Sequence, residues 1–175
     1  MLNNFSEMIG MKISYFIVLI ILVVGCAKNV GNKSKNEEIK GLVYKHAKAW
    51  ESSDYELFES ILHDELIFAY PSRRINKNET LKDFIDYHKS FNNTKIYINK
   101  IIVDGNDVAI EWQFASTNKN TGNRTAVSDA IIGKVKDGKI IIWKEYLDGR
   151  VSRLQAAGNL SLEEGKEPFP WPKKK

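Results

Sequence analysis

From Ile96 to Leu147 the hydrophobic period of this chain is alternating rather than helical, and the alternation is broken three times by residues suited to reversing direction. Asp104-Gly105-Asn106-Asp107, Asn120-Thr121-Gly122-Asn123 and Asp137-Gly138 are the three interruptions. Asp-Gly and Asn/Gly pairs reach the positive φ angles that tight hairpins require. Ile96 to Val103, Val108 to Thr117, Thr125 to Lys136 and Ile140 to Leu147 therefore read as four strands of one antiparallel meander.

The residues before the meander follow a helical period. Ile39, Leu42, Val43, His46, Ala47, Ala49 and Trp50 recur at spacings of three and four, which predicts a first helix ending near Ser52-Ser53. Asp54 can cap a second, shorter helix carrying Tyr55, Leu57, Phe58, Ile61 and Leu62, because its carboxylate can accept from free first-turn amides. Leu66 to Tyr70 reads as a short strand ended by Pro71. Asn78 or Thr80 is placed to cap a third helix with Leu81, Phe84, Ile85, Tyr87 and His88. Helices followed by a meander predict an α+β fold, with three N-terminal helices packed on one face of the sheet. The expected domain spans residues 37–160. Residues 161–175 hold Pro168, Pro170 and Pro172 and read as an irregular Pro/Lys-rich tail.

Met11 to Cys26, MKISYFIVLIILVVGC, is a separate signal. A basic residue, a short apolar run and small residues before a cleavage point make a secretory signal peptide. As a helix, Ile13 to Val24 would reach roughly 18 Å, short of the roughly 30 Å hydrocarbon core of a bilayer. Val23-Val24-Gly25 before Cys26, the only cysteine, resembles the lipobox of bacterial lipoproteins. The resemblance implies cleavage before Cys26, diacylglycerol on its thiol and a lipid anchor in the bacterial cell envelope. Ala27 rather than Asp resembles outer-membrane sorting, which in a Gram-negative cell faces the periplasm. Residues 1–25 are then the signal peptide, with Met11 a second candidate start, and residues 26–36 a flexible tether. The basic balance belongs to these ends. Lys12, Lys28, Lys33, Lys35, Lys173, Lys174 and Lys175 lie outside the stretch from Glu37 to Pro172, which is slightly acidic. Nucleic-acid binding, which needs a basic face, is not expected.

Ala49-Trp50-Glu51-Ser52-Ser53-Asp54, Leu57, Leu62, Pro71, Asp137-Gly138-Lys139-Ile140 and Trp143-Lys144-Glu145-Tyr146-Leu147-Asp148 resemble, in order and spacing, the nuclear transport factor 2-like superfamily and its SnoaL-like branch. The resemblance implies a cone-shaped fold in which a curved sheet wraps the long first helix around an apolar pocket. It also implies homodimers through the sheet face. Isomerases, cyclases, epoxide hydrolases and binding domains without catalysis share this fold, so the site must decide the chemistry. Ketosteroid isomerases carry a general-base aspartate before the first strand's closing proline; this chain has Tyr70 before Pro71. Their helix tyrosine corresponds to His46, and Asp129 lies close to their oxyanion-stabilising acid. Limonene epoxide hydrolases match at Glu145, but Glu111-Trp112-Gln113-Phe114 lacks their remaining groups. Asp148, followed by Gln155 and Gly158, fits the SnoaL-like cyclase pattern without its histidine.

Catalytic candidates are therefore Glu145, Asp129, Asp148 and His46. Glu145 alternates with Trp143 and Leu147, and a buried lone carboxylate is costly without a partner. Pairing with Arg124 or Lys144, or for Asp148 a helix cap, would explain these acids without a function. Trp50, Phe68, Tyr70, Trp112, Phe114 and Trp143 are candidates for an aromatic pocket wall or simply for core packing. No metal-ligand spacing links His46, His63 and His88, and no phosphate-cradling glycine loop or nucleophile elbow occurs. Neither a metal nor a cofactor is expected. The expectation is a lipid-anchored protein binding a small apolar ligand or a partner, with SnoaL-like catalysis by pocket carboxylates and a dimerisation module as alternatives.

Overall fold

A computed structural model describes residues 33–157 and 159. The stretch read as a signal peptide, Cys26 and residues 161–175 lie outside the described residues. The chain divides into Met1–Glu37 and Glu38–Lys175, and the fold below is that of the second unit. Its elements are α1, helical to residue 52; α2 (Tyr55–Ser60); β1 (Leu62–Tyr70); β2 (Arg73–Ile75); α3 (Lys77–Ser90); β3 (Phe91–Asp104); β4 (Asp107–Asn118); β5 (Arg124–Lys136); β6 (Lys139–Leu147); and α4 (Gly149–Ala156). This is an α+β fold with a mainly antiparallel sheet, ordered β2-β1-β6-β5-β4-β3. Helix is already present at residue 33, within the stretch read as tether. Among the described residues no helix is long and apolar enough to cross a membrane.

The meander forms at the turns its sequence marks. Asp137 and Gly138 both take positive φ, 50° and 70°, the geometry that matches a two-residue hairpin to strand twist. Asp54 caps α2 by accepting from the Leu57 amide at 2.9 Å. The third helix starts earlier than Asn78 or Thr80. Asn76 accepts from the Glu79 amide while Glu79 accepts from the Asn76 amide, a reciprocal capping box that satisfies two otherwise free donors.

Two further differences come from pairing between distant segments. Leu62, expected on the second helix, begins β1 because Ile140 donates its amide to Ile61 O at 2.8 Å and Leu62 pairs with Ile140 in parallel register. Its apolar side chain suits either element, and the partner strand decides. β2, three residues with two exposed arginines, carries no alternation of its own and forms by closing an antiparallel hairpin on β1.

The sheet face that meets α1 holds Phe68 and Trp143 side by side on β1 and β6, then Ile131 and Trp112 on β5 and β4. Against it α1 sets Ile39, Val43, His46 and Ala49, all at most 2 % exposed. Gly133 lies opposite Trp143 across β5 and β6, where a Cβ would stand 2.9 Å from Val108 Cγ1 and 3.3 Å from Ile142 O. Any side chain there would displace the strand packing that seats Trp143.

Candidate functional site

His46 enters the site from the buried stripe of α1. Its ring stacks on Trp143, centroids 4.2 Å apart and planes 16° apart, with Phe58 edge-on at 5.2 Å and Trp112 tilted at 5.6 Å. The residue is 2 % exposed, and neither ring nitrogen has a hydrogen-bond partner among the described residues. Burial among apolar rings disfavours the charged form and pushes its pKa down to about 3, so the imidazole is neutral at physiological pH.

The acids come from the neighbouring strands. In the β4 to β6 register Trp112 faces Asp129, and Ile131 faces Glu145. Asp129, Ile131 and Glu145 therefore share one face, the face of Trp112 and Trp143. Asp129 accepts from Trp112 Nε1 at 3.2 Å and from the Tyr146 amide at 3.0 Å. Glu145 accepts from Trp143 Nε1 at 3.1 Å. No Lys or Arg among the described residues pairs with either acid. Lys144 points to the other sheet face, and Arg124 donates to Asn93 O and Thr117 Oγ1.

Burial is the main cause of both pKa shifts. It raises Asp129 to about 6, against the pull of the two hydrogen bonds it accepts. It raises Glu145 to about 8, helped by the negative charge of Asp129 and opposed by the Trp143 bond.

These groups border a cavity of about 480 Å³, within the usual range for small-molecule sites. Trp50, Phe68, Tyr70, Trp112 and Phe114 line it, together with His46, Asp129 and Glu145. Trp143 lies beneath His46, outside the lining. Asp148 also stays out of it: its carboxylate accepts from the Arg150 amide at 2.9 Å and caps α4, which corrects its place among the catalytic candidates.

Residues 43–143, more than half of the chain, match the SnoaL-like domain. The chain belongs to the SnoaL-like family. Among solved structures the domain is similar to an LEH-like epoxide hydrolase from M. tuberculosis, at 20% identity and TM-score 0.63, covering 70% of this chain and 92% of that one. It is similar also to a proposed polyketide cyclase from Streptomyces antibioticus, at 15% identity and TM-score 0.61, covering 67% and 97%. An NTF2-like protein from Burkholderia thailandensis matches at 12% identity and TM-score 0.57, covering 66% and 95%. At such identities the likeness is one of fold. No curated protein matches the sequence.

The SnoaL-like domain adds site residues that the sequence reading passed over. α3 contributes Thr80, Asp83, Asp86 and Tyr87 to the cavity lining. Asp83 accepts from Tyr70 Oη at 3.1 Å and from Arg73 at 3.2 Å, and Asp86 from Lys82 and Lys89. Those lysine contacts hold Asp86 down at about 2. The only signal in the chain was Asp83, Asp86 and Tyr87 at spacings of three and four, which an ordinary solvated helix face also shows. Chemically, the SnoaL-like site offers a proton on Glu145 and a predominantly ionised Asp129 at neutral pH, in a largely aromatic enclosure. Among the described residues no group of three or more His, Cys, Asp or Glu is placed to hold a metal ion.

Proposed function

We propose that this chain is a lipid-anchored protein of the bacterial cell envelope whose SnoaL-like domain takes a small, largely apolar ligand into the cavity. The supporting observation is the cavity itself: about 480 Å³, walled by aromatic rings and met by two carboxyls that no Lys or Arg among the described residues neutralises. Polar groups in an otherwise apolar pocket fix the orientation of what binds there. Native mass spectrometry of the full chain purified from membranes should show a co-purifying small molecule, lost when Val127, which also lines the cavity, is enlarged by Val127→Phe. An empty cavity that also takes up no apolar fluorescent probe would end this reading. The anchor rests on the residues leading into Cys26, and Cys26→Ala should abolish fatty-acid labelling and release the domain from membranes. Labelling that persists would refute it.

A second reading, an enzyme that moves a proton, is favoured by the protonation states of the pair. One carboxyl holds a proton and its neighbour has lost one, the division of labour that general acid–base chemistry uses. Under this reading Glu145→Gln and Asp129→Asn each lower turnover of the bound molecule by about 100-fold or more. Unchanged turnover in both variants would leave ligand binding alone.

A further inference from the structure

We infer that the polar group of the ligand is a protonated amine, so that the occupant of the cavity is an organic ammonium ion carried on an apolar body. This rests on the ligand-binding reading and is independent of the enzymatic one.

The charge inventory of the cavity carries the inference. Among the described residues four acids line it and no Lys or Arg does. Two of the four have partners at the rim: Asp83 pairs with Arg73, and Asp86 with Lys82 and Lys89. Among the described residues, Asp129 and Glu145 have only N–H donors, from Trp112, Tyr146 and Trp143. Asp129 is 5 % exposed, and an ionised carboxyl at such depth is costly until a counter-charge reaches it. His46 supplies no such charge, because its ring stays neutral.

Two independent features suit the same ligand. The walls offer the faces and edges of Trp50, Phe68, Tyr70 and Phe114, and aromatic faces attract cations more strongly once water is excluded. His46 lines the cavity, 2 % exposed, with both ring nitrogens unpartnered among the described residues. A neutral imidazole has one lone pair free to accept a hydrogen bond, and an ammonium N–H is a strong donor for it. An anionic ligand would add charge of the wrong sign. A neutral carbonyl ligand could take the proton of Glu145 as a hydrogen bond but would leave the Asp129 carboxylate uncompensated.

The test compares two probes of nearly equal size on the full chain. N,N-dimethylbenzylamine is a cation at neutral pH, and N,N-dimethylbenzamide is neutral and presents a carbonyl. Binding is followed through the indole N–H resonances of Trp112 and Trp143, which are hydrogen-bonded to the two carboxyls. The amine should bind about tenfold more tightly or better. In the Asp129→Asn/Glu145→Gln double variant that preference should fall to about twofold or less, with amide binding retained as proof of an intact cavity. Should the double variant lose both probes, the wild-type ratio and the Asp129→Asn single variant decide instead. Equal or tighter binding of the amide, or a preference that survives the substitutions, would overturn the ammonium assignment and leave the cavity reading in place. If neither probe binds and no molecule co-purifies, the cavity reading falls and takes this assignment with it.

Discussion

Replacing Glu145 by Gln should make the protein more stable, and by an amount that depends on pH. The carboxyl has an ordinary pKa of 4.5 and is raised to about 8 in the folded protein, chiefly by burial and then by the charge of Asp129. At pH 7 the unfolded chain has therefore lost this proton while the folded chain keeps it. Folding must take up a proton there, at about 1.4 kcal/mol for each pH unit above the unfolded pKa. The resulting penalty is about 3 kcal/mol at pH 7. It vanishes below about pH 4.5 and grows until pH passes about 8, near 5 kcal/mol. Gln has no proton to take up, and its side-chain carbonyl can still accept from Trp143 Nε1. Asp129 is present in both proteins and largely cancels. For a chain of this size, about 3 kcal/mol corresponds to a rise in Tm of roughly 6–12 °C. Urea and thermal melts of the full chain and of the variant, taken from pH 4.5 to 8.5, check both the magnitude and the slope. A variant no more stable than the parent at pH 7, or an advantage that does not shrink toward pH 4.5, would show that Glu145 is ionised in the folded protein.

His46→Phe keeps a ring against Trp143 while removing two unpartnered buried nitrogens; it should raise stability by about 1 kcal/mol in urea melts and weaken binding of an amine to the cavity. Loss of stability would mean that the imidazole has a partner in solution. Gly133→Ala should destabilise by about 1–3 kcal/mol and shift the Trp143 indole resonance, because the added Cβ meets Val108 at 2.9 Å. A neutral effect would show that the β4 to β6 packing yields easily. The sheet face away from α1 carries Ile102, Ile132 and Tyr146, each about half exposed, in one cross-strand patch. If that patch is a homodimer surface, light scattering should give twice the monomer mass for the full chain and the monomer mass for Ile132→Lys; a monomeric parent removes the dimer.

Local chemistry was the legible part of the site. His46 could be placed on the inner stripe of the first helix by spacing alone, and Glu145 on the face of Trp143 by alternation. That Glu145 and Asp129 would stand together was not legible, since it depends on the register that sets Ile131 against Glu145. The helix cap that Asp148 forms was legible as an alternative, from its place after the last strand and before Gly149. Asp129 lies midway along β5, where Trp112 and Tyr146 hold it in the cavity, whereas Asp148 directly follows β6 and caps α4.

The sequence by itself determined the α+β class, the three hairpins of the meander and the SnoaL-like membership, because turn residues, helical spacing and strand alternation act over a few neighbours. Tertiary structure alone decided that Leu62 joins a strand, that β1 runs parallel to β6, and that α3 closes the cavity with its own acids. It also decided the protonation of the site. A carboxyl acquires its pKa from the water it loses and the charges it meets, and both are fixed by residues far away along the chain.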